Sequence, residues 1–356
     1  MARHQAPDRH PARDRATIRT TALAMIGLTV FVIAMIASYS GAFAKPTLHH
    51  MAVAVAGPQQ VVDGIRGQDA LAVTEVGDDA AAREQVYVRK TDAAFVVAPT
   101  GEMKIYVAGG GGHSVAGAAE TVGRAIAAKA GLTPTVEDVA PASAGDPSGT
   151  VEFYAIIFIS IGASVGATVL GRVMGTVRRP LTLALRTATL AGYSTLLAGG
   201  VTVYVDVILG ALTGHTRQLF GALWLYAMAV GGAVTGVAAA FGSVASMALT
   251  AFLVVIGNAA AAGPVGRPLL SGFYSTFTAI VPQGSGVSLL RSVQYFGGNG
   301  AQTPFVTLAI WGGAGCLLAI AATASRVNYR AIYERSLSLA GRDRAVLRPG
   351  ELSPAD

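Results

Sequence analysis

Charged side chains are scarce in this chain, and one long stretch has none. Only 13% of the 356 residues are Asp, Glu, Lys or Arg, and residues 219–266 contain no charged side chain. A typical soluble domain carries about 25% charged residues. A helix needs only about 20 apolar residues to cross roughly 30 Å of hydrocarbon. The shortage therefore excludes an ordinary soluble domain and indicates a polytopic α-helical membrane protein.

Other shortages exclude whole classes of site. Cys316 is the only cysteine and lies in an apolar run, which excludes a disulfide framework and a cysteine-based metal site. The six histidines include no pair at helical i,i+4 spacing, so we expect no metal. No lysine follows a glycine, as a P-loop requires, so we expect no nucleotide site, no cofactor and no enzyme activity on this chain. The net charge of +6 comes from basic residues that flank apolar stretches, and we expect no nucleic-acid binding.

Six apolar stretches are predicted to be membrane spans. They are residues 21–44, 151–171, 187–212, 219–240, 244–262 and 304–325. We interpret the first as an uncleaved anchor. The other interpretation is a signal peptide cleaved after Ala42-Phe43-Ala44, whose apolar region would be about 20 residues long against the usual 7–15.

Residues 267–300 do not form a simple span. The apolar pieces 269–281 and 287–296 are each too short to cross, and Pro282–Gly286 separates them. Apolar runs of about 10–14 residues are often re-entrant. We therefore predict a re-entrant helical hairpin that enters the membrane from the outer face between spans five and six.

Arginine placement predicts the orientation. Fifteen of the 26 basic residues lie in the N-terminal segment 1–20, in the loop 172–186 after the second span, or in the tail 326–356. Cytoplasmic segments next to spans are enriched in Lys and Arg. We therefore predict a multi-pass protein of the cell membrane with both termini in the cytoplasm.

Residues 45–150 are richer in charge, Pro and Gly, and they predict an extracytoplasmic α/β domain between helices one and two. Its predicted elements are strands 51–56 and 71–76, hairpin strands 93–98 and 103–108, a helix from Ser114 to Gly131, and a linker over 134–149. The predicted fold class is thus six transmembrane helices plus a re-entrant segment, with this domain outside. Residues 151–325 form a five-helix transmembrane domain in this prediction.

Polar residues beside or inside the spans are candidate functional residues. Arg172, Arg178, Arg179 and Arg186 follow the second span and are interpreted either as a contact with a partner or as charges resting on anionic lipid headgroups. Pro282, Gly284, Gly286 and Arg291 are the candidates in the re-entrant segment.

Two further candidates lie within predicted spans. Asp206 is either a proton or substrate site or a headgroup-level residue near Arg217. Asn258 is interpreted as an interhelical hydrogen-bonding residue in preference to a substrate contact. The small-residue pairs Gly162/Gly166 and Gly232/Gly236 are interpreted either as helix contacts or as chance placements in a Gly-rich chain.

One local motif resembles a known family. Residues 280–287 read IVPQGSGV, and residues 290–296 read LRSVQYF. This pattern is similar to the Pro-Gly-rich turn and Leu-Arg…Tyr-Phe segment before the last span of type-2 ABC exporter permeases. The layout, with an outer strand at 50–55, resembles the branch with a large outer domain, which includes the phage-infection-protein (Pip/YhgE-like) group. Residues 57–60 depart from that pattern.

The resemblance implies a permease subunit that moves a hydrophobic or amphipathic substrate outward. It implies that ATP and Mg bind a separate ABC ATPase, that the loop Arg172–Arg186 couples the two, and that the permease forms a homodimer or a heterodimer with a relative. Two other hypotheses stay open. One is a membrane-anchored receptor or envelope scaffold whose outer α/β domain is the functional part. The other is a proton-coupled carrier, for which Asp206 is the available acid.

Overall fold

The computed structural model describes residues 11–175 and 179–326, with side chains from Thr17 onward. Residues 1–10, Arg178 and most of the predicted tail lie outside the described residues. In chain order the helices are α1 (Pro11–Phe43), α2 (Gln59–Arg66), α3 (Asp79–Tyr87), α4 (His113–Ala130), α5 (Val151–Met174), α6 (Pro180–Thr202), α7 (Thr216–Phe241), α8 (Ser243–Phe252), α9 (Gly272–Ile280), α10 (Pro282–Tyr295) and α11 (Gln302–Arg326). The strands are β1 (Met51–Ala56), β2 (Leu71–Glu75), β3 (Ala93–Val97), β4 (Glu102–Val107) and β5 (Thr133–Asp138).

Five helices among the described residues are long and apolar enough to cross a membrane: α1, α5, α6 with its π-helical continuation to Ile208, α7 and α11. They present large apolar side chains outward, such as Ile26, Phe158 and Leu196, and Leu196 is 77% exposed. An apolar surface of this extent marks contact with lipid or protein. The central helix α7 packs against α5, α6, α10 and α11. The chain has the architecture of a helical membrane protein.

The sixth predicted span, 244–262, does not form a long helix. Helix α8 and its π-helical continuation cover Ser243–Gly257, which falls below the length of the five long helices. Their length is about 23 Å, against roughly 30 Å of hydrocarbon. Helical structure ends at Ala259, and the chain turns at Ala262, which has a φ of 56°, before it reaches Gly263-Pro264. A count of six long spans is therefore not confirmed.

The connection between α5 and α6 is shorter than the predicted loop 172–186. Helix α5 continues to Met174, so Arg172 lies in its last turn. Helix α6 starts at Pro180, whose fixed φ suits the first helical position. Arg186, which the sequence interpretation assigned to the loop, lies inside α6 and is only 3% exposed. That assignment was wrong.

Residues Met51–Asp138 form a unit around one mixed sheet with strand order β2-β1-β3-β4-β5; we call it the sheet unit. Strands β3 and β4 form the predicted antiparallel hairpin, while β1 pairs in parallel with both β2 and β3. The predicted helix is α4, and Gly131 ends it in the left-handed conformation at φ 68°. The linker prediction was wrong over residues 134–138, because they belong to β5, which pairs with β4 at the edge of the sheet. An edge position tolerates Pro134 because its missing N–H faces away from the sheet.

The sheet unit packs on one end of the helical bundle, and we call this contact region the junction. Its apolar core, which includes Val53 and Phe95, is continuous with Ala259 and Tyr274 of the bundle. Backbone bonds also cross the junction, and the His49 N–H donates to the Pro268 carbonyl at 2.7 Å.

Helices α9 and α10 pack against each other, and α10 also packs against α5, α7 and α11. The chain breaks at Val281, which is extended (ψ 148°), because Pro282 disfavours a helical residue before it. Pro282–Gly286 was predicted to be the break, but these residues form the first turn of α10, where proline costs no hydrogen bond.

Both predicted small-residue pairs lie where helices touch. The Tyr193 hydroxyl of α6 donates to the Gly162 carbonyl of α5 at 2.9 Å, and a Cβ built on Gly166 would lie 2.3 Å from the Tyr193 ring. In α7, a Cβ built on Gly236 would lie 2.2 Å from the carbonyl oxygen of Gly315 in α11. Missing side chains thus let these backbones approach closely.

Candidate functional site

A cavity of about 430 Å³ lies at the junction, and we call it the junction cavity. Its wall contains Arg89, Arg267, Arg291 and Asp92, so arginines outnumber carboxylates there. The hydroxyl-bearing residues of the wall are Thr91, Thr278, Ser285, Ser288, Thr303 and Thr307. The sheet unit contributes Arg89, Thr91 and Asp92 to this wall. Helices α9, α10 and α11 contribute Arg291 and the other five hydroxyl-bearing residues, so polar groups lie on both sides of the cavity.

Arg291 of α10 is buried at the cavity wall, with 4% of its surface exposed. Its Nη1 donates to the carbonyl oxygens of Gly111 at 3.0 Å and Ala262 at 3.2 Å. Its Nη2 donates to the carbonyl oxygens of Gly149 at 3.2 Å and Gly263 at 3.0 Å. These acceptors belong to three separate chain segments. One guanidinium therefore ties α10 to the turn before α4, to the segment before α5 and to the segment after α8.

Arg89 makes the opposite contact, from the sheet unit to α10. Its Nη1 donates to the Ser288 carbonyl at 2.8 Å and also to the Ser292 hydroxyl. The guanidinium lies 5.0 Å from the centroid of the Phe296 ring, within cation–π range. Burial lowers the pKa of Arg89 to about 10, which leaves it charged at neutral pH. Arg89 and Arg291 thus link the sheet unit and α10 in both directions.

Asp92 is the carboxylate of the cavity wall. The Ala52 N–H donates to its Oδ2 at 3.0 Å. Burial raises the pKa of Asp92 above its ordinary 3.8, although the Ala52 N–H and the charges of Arg89 and Arg267 oppose the shift. Because the folded state binds this proton more tightly than the unfolded chain does, ionisation of Asp92 lowers stability as pH rises above about 4.

Replacing Asp92 by Asn is expected to remove this pH dependence. As the pH rises from about 4 to 7, the unfolding temperature of purified Asp92→Asn should become higher than that of wild type. At pH about 4 and below, the two unfolding temperatures should be equal. Asp63→Asn is the matched control, because Asp63 is an exposed partner of Arg66 outside the cavity. Equal pH slopes for wild type and Asp92→Asn would contradict the assignment.

A second buried carboxylate lies behind Arg291. Glu152, in the first turn of α5, is fully buried, and its charge interacts with Arg291 and with the Tyr295 hydroxyl. Asp146 is also buried, and its Oδ2 accepts the Val151 N–H at 2.7 Å, which caps the start of α5. The negative charges of Glu152 and Asp146 interact with Arg291, although neither residue lines the cavity.

The glycines predicted to matter in the re-entrant segment shape α10. A Cβ built on Gly284 would lie 2.1 Å from the Thr278 carbonyl oxygen of α9, and one on Gly286 would lie 2.7 Å from Ile156 Cδ1 of α5. Between them, the Gln283 amide donates to Ser160 Oγ at 3.0 Å and to the Leu253 carbonyl at 2.9 Å. Pro282 starts the helix, and of the four candidates Gly284 and Arg291 line the cavity.

Asp206 and Asn258 do not line the junction cavity. Asp206 lies in the π-helical segment that ends α6 and accepts a hydrogen bond from the Thr216 hydroxyl, the neighbour of the expected Arg217. Asn258 is fully buried beside Tyr39 of α1, whose hydroxyl interacts with it, although neither amide atom has a hydrogen-bond partner of normal geometry. Both residues thus adjoin π-helical turns, which often occur at functional sites.

The predicted coupling arginines that the structure describes are at the other end of the bundle. Arg172 is in the last turn of α5, about 30 Å along the helix from the junction. Arg172 and Arg186 line a separate cleft there, Arg179 precedes α6, and Arg178 lies outside the described residues. The structure therefore does not bring these arginines together with Arg291.

Sequence interpretation missed Arg89, Asp92 and Glu152. Glu152 carried a usable signal, because an acid at the start of an apolar helix is expensive unless it has a role. Arg89 and Asp92 carried none, since they stand in an ordinary charged stretch. Only the packing of the segment between α3 and β3 against α10 brings them to the cavity.

The chain matches no family model, no curated protein and no solved structure. The resemblance to exporter permeases therefore remains a prediction from the motif and the layout.

Proposed function

We propose that this chain is the membrane-spanning permease subunit of an ABC-type exporter, driven by a separate ATPase, that moves a hydrophobic or amphipathic molecule outward. The observation that carries the proposal is the junction cavity. Its lining combines three arginines and six hydroxyl-bearing residues with apolar side chains such as Val115, Val287 and Phe296, which suits a molecule with both a polar and an apolar part. Ligand sites commonly combine an apolar lining with a few placed polar groups.

The course of the chain supports a layout with both termini in the cytoplasm. Helix α8 starts beside the end of α7 that is remote from the sheet unit, and the residues after it reach Arg291 at the junction. It therefore connects the two ends of the bundle despite its short length. We propose that α1, α5, α6, α7, α8 and α11 are the six crossings, in a multi-pass protein of the cell membrane.

The pair α9–α10 supports the proposed re-entrant segment. The residues before α9 bond to the chain before β1, where the Thr47 N–H donates to the Leu269 carbonyl at 3.2 Å. The last turns of α10 carry Arg291, which also bonds at the junction. Both ends of the pair thus lie on the face that carries the sheet unit, which we propose is the outer face.

The partners in this proposal come from the family resemblance. ATP and Mg would bind an ATPase on another chain, which would approach the end of the bundle that carries Arg172, Arg179 and Arg186. A second permease, identical or related, would complete the exporter. The receptor or scaffold hypothesis would instead give the sheet unit a role that needs neither.

Filling the junction cavity is expected to block export without preventing assembly. Ala279 of α9 is exposed and lines the cavity, so Ala279→Trp should fill it at little cost in stability. Pull-down of the full chain in mild detergent should recover an ATPase with wild type and with Ala279→Trp. Binding of a dansyl-labelled fatty acid, followed by fluorescence, should weaken about tenfold or more in the variant.

Phe273→Trp is the matched control, because Phe273 lies on the same helix, is 56% exposed and does not line the cavity. It should bind the probe like wild type. Repeated failure to recover an ATPase, together with ATP-independent transport, would contradict the exporter proposal. If an ATPase is recovered but Ala279→Trp binds the probe normally, the substrate path lies elsewhere.

A further inference from the structure

A second cavity, of about 340 Å³, lies at the end of the bundle remote from the sheet unit, and we call it the distal cleft. Its wall is formed by the end of α5, the first turns of α6, the end of α7, the start of α8 and the end of α11. Arg172, Arg186 and Arg326 are in its wall, and the described residues place no carboxylate there. Three like charges thus face one small space.

Arg186 is the informative member of this group. Only 3% of its surface is exposed, and its Nε and Nη2 atoms have no hydrogen-bond partner among the described residues. A buried cation without a partner is strongly unfavourable, and so is each buried N–H left without an acceptor. An anion in the cleft would supply both the charge and the acceptors.

The start of α8 adds a second attraction for an anion. Gly242, Ser243 and Ser246 line the cleft, and no side chain caps the first turn of α8. The free N–H groups and the dipole of a helix N-terminus favour negative charge. Guanidinium groups bind phosphate through paired hydrogen bonds, which a planar fork of donors fits well.

We propose that the distal cleft binds a phosphate group, held between Arg172, Arg186 and Arg326 at the α8 N-terminus. The phosphate belongs either to an anionic lipid headgroup or to a free anion. This site is separate from the junction cavity and does not rest on the exporter proposal, but it shares Arg172 and Arg186 with the end of the bundle that the proposed ATPase would approach.

The test measures binding by the full-length protein in a neutral detergent. The probes are short-chain phosphatidylglycerol, inorganic phosphate and zwitterionic short-chain phosphatidylcholine, each titrated while the unfolding temperature is recorded. Phosphatidylglycerol is expected to raise that temperature with saturation, and Arg186→Gln is expected to weaken the apparent affinity about tenfold or more. An equal response to inorganic phosphate identifies a free-anion site, and a response to phosphatidylglycerol alone identifies a lipid site.

A second variant keeps the charge of Arg186 but displaces its guanidinium group by steric contact. A Cβ built on Gly171 would lie 2.8 Å from Arg186 Nη2, so Gly171→Ala should displace the guanidinium and weaken binding. Gly192→Ala in α6 is the matched control, since its Cβ would meet nothing within 4 Å. Arg217→Gln controls for loss of an arginine outside the cleft.

Three results would overturn the proposal. The first is unchanged binding in both Arg186→Gln and Gly171→Ala. The second is binding that appears only when Glu334, Asp343, Glu351 and Asp356 are neutralised in the full chain, because the chain's own acidic residues would then occupy the cleft. The third is the absence of any phosphate-dependent shift. If Arg186→Gln then also abolishes recovery of an ATPase, the cleft is a protein contact.

Discussion

Replacing Arg291 by Met should lower the stability of the protein by about 3–5 kcal/mol, the usual cost of breaking a buried charged network by removing one member. The variant keeps a side chain of similar length but loses all four donated hydrogen bonds. The carbonyls of Gly111, Gly149 and Gly263 would then lack a partner in a buried region, and Glu152 would lose the nearby cation. The junction should loosen, and the unfolding temperature in detergent should fall sharply.

Arg124→Met is the matched control for the Arg291 variant. Arg124 forms an exposed i,i+4 ion pair with Glu120 in α4, and such pairs contribute about 0.3–0.5 kcal/mol. Arg291→Lys should fall between the two, because an ammonium group keeps the charge but cannot reach acceptors in three segments at once. If Arg291→Met unfolds at the same temperature as Arg124→Met, Arg291 does not hold the junction together.

Replacing Gly236 by Ala should separate α7 from α11 and cost about 1–3 kcal/mol or more, the range for overpacked interiors. The built Cβ would lie 2.2 Å from the Gly315 carbonyl oxygen and 2.7 Å from Gly315 Cα. Both neighbours are backbone atoms, so no side-chain rotation relieves the clash. Because α7 is the central helix, the effect should spread through the bundle, and it is measured as a lower unfolding temperature of the purified protein.

Gly313→Ala provides the opposite case on the neighbouring helix. A Cβ at Gly313 would meet nothing within 4 Å, and alanine is favoured over glycine in a helix by about 1 kcal/mol. This variant should be neutral or slightly more stable than wild type. Equal destabilisation by the two substitutions would mean that the loss of glycine itself, and not the α7–α11 contact, is responsible.

Local sequence patterns predicted most elements whose residues repeat with a regular period. The β3–β4 hairpin and α4 follow from alternation, turn residues and a terminal glycine, and these signals act within a few residues of the chain. Strand β5 was not predicted, because Pro134 and its polar neighbours indicate a loop. It is a strand because β4 offers a free edge, and that edge is formed by residues about 30 positions earlier.

Helix ends were predicted less well than helix existence. Pro282 was predicted to lie within the break between two helices, but it is the first residue of α10. Proline disfavours a helical conformation in the residue before it, here Val281, and is itself accepted in the first turn of a helix. Arg186 was placed in a loop because it is charged, although α6 already extends six residues before it. Charge marks an energetic cost of burial and does not by itself mark the end of a helix.

The sequence by itself determined that this is a membrane protein with a separate α/β segment, because hydrophobic length and charge spacing depend only on composition along the chain. Tertiary structure decided which charges meet. Arg89 and Asp92 are close to each other in sequence but far from Arg291, and only the packing of the sheet unit on the bundle brings them around one cavity, with Glu152 behind Arg291. Buried charges need partners from other segments, and that pairing is a property of three-dimensional packing that no local pattern encodes.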